Sequence, residues 1–115
     1  MKLGILKNLL LENNIVKITV HSEFYVEPLI VLNAIFDKKT RNVIYLEVNT
    51  FLDKKANRLA TIKSYLLDFK DTHTVLIRNL DRNKSIYSIE PSFEIDKNNN
   101  SLCLHASSVY KDFIS

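Results

Sequence analysis

Glu47 stands near the end of an apolar segment, Val43 to Val48, and across a short polar turn lies a second apolar segment, Leu29 to Phe36, that carries Asn33. Asn49 follows Glu47 by two places. A strand acid beside a turn could hold a hard divalent cation against a phosphate. Magnesium, however, is bound by several carboxylate oxygens and waters, and one Glu supplies too few. Metal-assisted phosphodiester hydrolysis also needs positive charge at the phosphate, which neutral Asn33 and Asn49 cannot provide. These three residues therefore predict a place for chemistry without the charges to perform it. An amide inside an apolar run needs partners, and Glu47 or Asn49 across the sheet could supply them to Asn33. Glu47 can equally be an ordinary strand carboxylate paired with a lysine.

The basic residues are the stronger candidates for a function. Lys38, Lys39 and Arg41 crowd one turn, and Lys54, Lys55 and Arg58 crowd the start of a helix. Joined into one surface, they would contact phosphates and give salt-sensitive binding without sequence preference. A solvated charged face accounts for the same residues. Basic groups at a helix start oppose the macrodipole by about a few tenths of a kcal/mol each, a mild hint of use. His21, His73 and His105 are far apart and show no metal-ligand spacing. Ser22, Ser101 and Cys103 sit in no nucleophile motif, and Gly4 is the only glycine, so there is no phosphate loop.

The elements that must position these residues follow from periodicity. Leu3, Leu6, Leu9 and Leu10 recur at helical spacing, and Asn13-Asn14 stops a helix over 3–13. Ile15 to Val20 alternates and is β-branched, which predicts a strand. Leu29 to Phe36 reads as a buried central strand, residues 37–42 as a turn, and Val43 to Val48 as its partner. Asp53 can cap a second helix of about 17 residues, with an apolar face of Ala56, Leu59, Ala60, Leu66 and Leu67. Thr74–Ile77 and Ser85–Ile89 predict two more strands. After the turn Lys97–Asn100 come a short strand over 101–106 and a final helix from Ser107 or Ser108. No internal repeat is evident. The order α-β-β-β-α-β-β predicts an α/β fold, a mixed sheet with helices against it.

Composition bounds the rest. A chain of 115 residues makes one domain, 1–115. With 46% hydrophobic and 25% charged residues it reads as globular. The net charge of +3 permits a polyanion partner without requiring one. A single cysteine excludes an internal disulfide or a multi-cysteine metal site and suits a reducing cytoplasm. No apolar run reaches the roughly 20 residues of a membrane span, so no membrane role is expected.

Taken in series, the first helix, the Asn33 strand, the Ile44-Tyr45-Leu46-Glu47-Val48 strand and the helix ending Tyr65-Leu66-Leu67-Asp68-Phe69 resemble an archaeal-type Holliday junction resolvase. The likeness continues through Val75-Leu76-Ile77-Arg78 and Ile86-Tyr87-Ser88-Ile89-Glu90-Pro91. It implies a restriction-endonuclease-like fold, a homodimer and binding to branched DNA. The family's first-helix Glu and Arg would fall near Leu3 and Gly4, its strand Asp on Asn33, its Glu on Glu47 and its Lys on Asn49. Leaving aside the neighbouring Arg, one of the four active-site places, Glu47, keeps the required residue type. The resemblance thus implies a catalytically inactive paralogue, without metal or other cofactor, acting on DNA or with an active resolvase or another repair protein. Three alternatives stand beside it. They are a structural dimer without nucleic acid, a non-catalytic subunit of a transfer-RNA splicing endonuclease, and a RecA-like remnant lacking its phosphate loop.

Overall fold

Each half of the chain opens with a helix and continues with three strands. The computed structural model describes residues 1–23, 29–49, 59–80 and 85–109. The first half holds α1 (Leu3–Glu12), β1 (Lys17–His21), β2 (Leu29–Phe36) and β3 (Val43–Asn49). The second holds α2 (Leu59–Leu67), β4 (Thr74–Asn79), β5 (Ser85–Asp96) and β6 (Ser101–Val109). The strands close into a barrel in sequence order. Neighbours within each half pair antiparallel. The halves join through two parallel seams, β3 with β4 and β6 with β1.

This closed barrel overturns the expected restriction-endonuclease-like sheet flanked by helices. The expected order of elements is largely present, but pairing of the first strand with the last converts a layered sheet into a cylinder. β5 is long and bends, with register shifts between Tyr87 and Ile89 and between Ile89 and Phe93. Pro91, which has no N–H to give to a ladder, lies in the second of these breaks. β6 runs through Ser107 and Ser108 to Val109, where a helix was expected. The Asp53 cap and the first turns of the expected second helix lie outside the described residues.

Alternation sends one side of every strand inward. Ile18 and Val20, Ile44, Leu46 and Val48, Val75 and Ile77, and Leu102 and Leu104 share one buried cluster. Leu3, Leu6 and Leu10 of α1 and Ile62 and Leu66 of α2 belong to the same cluster. A barrel of this size is filled by side chains, and burial of each such Leu or Ile stabilises by roughly 1.5–3 kcal/mol. The outer side of β3 and β4 carries a second, smaller apolar group, Val43, Tyr45 and Leu76. That group explains why β3 is buried along most of its length and reads as uniformly apolar.

The start of α1 docks on the turn before β4. Leu3 N–H donates to the His73 carbonyl at 2.8 Å and Gly4 N–H to the Asp71 carbonyl at 3.0 Å, satisfying donors that a helix start leaves open. Approach here is close: a Cβ on Gly4 would sit 2.9 Å from the Asp71 Cβ. Lys7 Nζ then bonds the Asp71 carboxylate at 2.9 Å.

The two halves repeat one αβββ unit, although no repeat was evident from sequence. Placing Leu3 on Leu59 brings Leu6 onto Ile62, Lys7 onto Lys63, Leu10 onto Leu66 and Leu11 onto Leu67. The hairpin turns correspond as well. Asp37 Oδ1 accepts from Lys39 N–H, and Asp96 Oδ1 from Asn98 N–H, each at 3.0 Å. Both turns then pass through a left-handed residue, Arg41 at φ 57° and Asn100 at φ 50°.

Candidate functional site

The parallel β3–β4 seam positions Glu47. Asn33 and Glu47 are cross-strand partners, and Asn33 Nδ2 donates to Glu47 Oε1 at 3.4 Å. The other carboxylate oxygen lies 3.9 Å from Nε of Arg78, the partner of Glu47 on β4. The Arg78 guanidinium lies over the Tyr45 ring, 4.0 Å from its centroid. The Tyr45 hydroxyl donates to Asp37 Oδ2 at 3.4 Å. Burial, and then the Asp37 charge, push the Tyr45 phenol up, with Arg78 pulling the other way.

Asn33 is exposed, not buried as the apolar run suggested, because a register shift between Val31 and Asn33 turns it onto the outer wall. Asn49 has Ile30 as its backbone partner and is half-buried. Glu47 is therefore compensated by a guanidinium and an amide. A cation brought to it would have to compete with Arg78.

Lys38, Lys39 and Arg41 are exposed on the β2–β3 turn. The Asp37 carboxylate in that turn is engaged by Lys39 N–H, the Thr40 hydroxyl and Tyr45. Lys54, Lys55 and Arg58 lie outside the described residues, and with them the expected joining of the two basic groups.

The other parallel seam gathers a set that sequence reading missed. Cys103 and His105, two places apart on β6, point to the outer wall, since Leu102 and Leu104 between and beside them are fully buried. Glu94 on β5 is the cross-strand partner of Cys103, and His21 on β1 is that of His105. Ligand atoms of Glu94, Cys103 and His105 all lie within 4.8 Å of one another. His105 Nε2 is 3.9 Å from Glu94 Oε2. The His21 and His105 rings meet edge to face, with centroids 5.6 Å apart. Beside them opens a recess of about 270 Å³, lined by His21, Glu23, Glu90, His105, Ala106 and Ser107.

No family model, curated protein or solved structure matches the chain. The chemistry of the two seams must accordingly be read from their own residues. One seam holds an acid already neutralised; the other holds imidazole, thiol and carboxylate groups on an open wall. The signal for the second was the pair Cys103-x-His105, whose spacing places both on one face of a strand. Their partner His21 could not be found that way, because only barrel closure brings β1 beside β6.

Proposed function

We propose that this protein is a non-catalytic binding module whose ligand-facing surface is the β5–β6–β1 wall of the barrel. One observation carries this reading: lone-pair donors of Glu94, Cys103 and His105 converge, with the His21 ring packed against His105 from a third strand, beside an open recess. Among the described residues, the barrel interior is filled with apolar side chains and offers no comparable polar surface. Glu47, the residue expected to mark a degenerate catalytic site, is held by Arg78 and Asn33. A free Cys103 thiol agrees with a cytoplasmic setting. The test is amide chemical-shift mapping of the full chain against a panel of divalent cations, nucleotides and short acidic or basic peptides. Shifts centred on 21, 94 and 103–107 support the wall. Silence there against every member of the panel overturns it.

A second reading rests on the exposed turn. Lys38, Lys39 and Arg41 project together while Asp37 is tied up by internal hydrogen bonds, leaving a local excess of positive charge. Such a turn would engage nucleic-acid phosphates, and its affinity would fall steeply with salt. Titration with duplex and four-way DNA at low and high salt, in wild type and a Lys38→Ala/Lys39→Ala/Arg41→Ala variant, tests it. The resolvase expectation supplied this reading, along with a homodimer and a repair partner, but the barrel withdraws the fold on which it stood.

A further inference from the structure

We infer that Glu94, Cys103 and His105, with His21 as fourth ligand, bind a divalent transition-metal ion of the zinc class. The inference rests on the proposed ligand-facing wall and names its ligand.

The donor types select the ion. Thiolate and imidazole suit zinc-class metals, whereas magnesium and calcium take oxygen ligands. The sheet then supplies the geometry. β6 contributes two donors from alternate positions on one face, and each is flanked by a cross-strand donor, Glu94 beside Cys103 and His21 beside His105. A tetrahedral centre with Zn–N near 2.0 Å and Zn–S near 2.3 Å needs ligand atoms roughly 3.3–3.7 Å apart. From the 3.9 Å between His105 Nε2 and Glu94 Oε2, and the 4.8 Å limit for Glu94, Cys103 and His105, small side-chain rotations reach that spacing, and His21, whose ring centroid is 5.6 Å from that of His105, turns in to complete it. Glu94 is largely exposed and His105 and Cys103 are partly so, which leaves the ion a path from solvent.

The equivalent place on the other seam shows why the two halves differ. There the outer-face pair across the parallel strands is Glu47 and Arg78, and a fixed guanidinium repels a cation. Across β6 and β1 the pair is His105 and His21, both able to ligate as neutral imidazoles. An ion held by β5, β6 and β1 would also tie together the strands that close the barrel, so binding should stabilise the fold by linkage.

The experiment titrates the reduced full-length protein with Co²⁺ and reads visible absorption, followed by displacement with Zn²⁺. Expected are the intense visible bands of tetrahedral cobalt, a thiolate-to-cobalt charge-transfer band, one ion per chain, and a rise in Tm with Zn²⁺. Cys103→Ser should abolish the charge-transfer band. Disturbing a group that merely supports a ligand costs about 10–100-fold in affinity, so His105→Ala and Glu94→Gln should each weaken binding at least that much. His21→Ala should weaken it at least tenfold. Each variant's far-ultraviolet circular dichroism must match wild type. A charge-transfer band unaffected by Cys103→Ser, or weak octahedral cobalt absorption alone, overturns the metal site. Wall-centred shifts with another ligand but no cobalt bands sink the metal and leave the binding wall standing. Metal-induced shifts confined to residues 37–42 sink the metal site, and silence of the wall against every member of the panel sinks both.

Discussion

The guanidinium of Arg78 covers the ring of Tyr45 at 4.0 Å while its Nε lies 3.9 Å from Glu47 Oε2, so one cation serves a ring and an acid on the neighbouring strand. At that distance the Nε has no hydrogen-bond partner, and the attraction is one of charge. The Glu47 side chain is only 11% exposed. Arg78→Met should therefore destabilise by about 1–3 kcal/mol, much of it from a poorly compensated carboxylate. Adding Glu47→Leu should recover most of that loss, since removing both partners of a buried pair is often neutral. Urea denaturation of the two variants decides; a double variant no more stable than Arg78→Met would show that pairing is not what Arg78 provides.

Gly4→Ala should cost about 1–3 kcal/mol, the range for overpacking. The reason is steric, because the new Cβ meets the Asp71 Cβ at 2.9 Å where α1 docks on the turn. Asp71→Gly in the same chain should restore stability to within about 1 kcal/mol, since the lost Lys7 ion pair is exposed on the Asp side and such pairs contribute little. Thermal unfolding of the single and double variants checks both numbers.

Tyr45 should make the fold sensitive to alkali. Burial first, and the Asp37 carboxylate second, raise its phenol above the ordinary value of about 10. The folded chain then holds this proton more tightly than the unfolded chain. Its contribution to stability is fully present below the ordinary phenol value and is lost as pH rises through the raised one. Spectrophotometric titration should show a late-ionising tyrosine that disappears in Tyr45→Phe and ionises earlier in Asp37→Asn. The same Phe variant should lose less stability between neutral and strongly alkaline pH.

Neighbouring residues of β6 should respond in opposite ways. Leu104 is fully buried, and Leu104→Ala should cost about 2–5 kcal/mol. Cys103, one place earlier and on the outer wall, should tolerate Ser within about 0.5 kcal/mol when metal is absent. Chemical denaturation in the presence of a chelator measures the contrast. Similar losses at both positions would be at odds with a strand that alternates between core and surface.

Local structure was legible where local rules decide it. Leu29–Phe36 has the bounds its apolar run and the turn after it predicted, and the leucine spacing of α1 gave its buried face. Glu47 was one of two partners expected for Asn33 and does accept from it, but Asn33 is exposed, so the burial that the expectation rested on is absent. What stayed hidden depends on contacts between segments far apart in sequence. Arg78 reaches Glu47 only through the register of a parallel seam formed after the α2 crossover. His21 meets His105 only because β1 closes against β6. The serine pair Ser107-Ser108 resembled a helix start, yet the ladder with β5 holds it extended, and the Ser107 hydroxyl bonds the Ser88 hydroxyl and donates to the Ser88 carbonyl.

Among the described residues, every strand of the cylinder has a hydrogen-bonded neighbour on each flank. A flat sheet ends in strands whose amides and carbonyls invite another chain to add alongside; here parts of two strands chiefly outrun their ladders, β2 beyond Ile30 on its β1 side and β5 beyond Tyr87 on its β4 side. Among the described strands, addition of a peptide alongside is thereby limited chiefly to those two stretches. Elsewhere on the cylinder a partner meets side chains projecting from the walls and hairpins, and along the fully laddered seams the outward residues, not the backbone, are the currency of association.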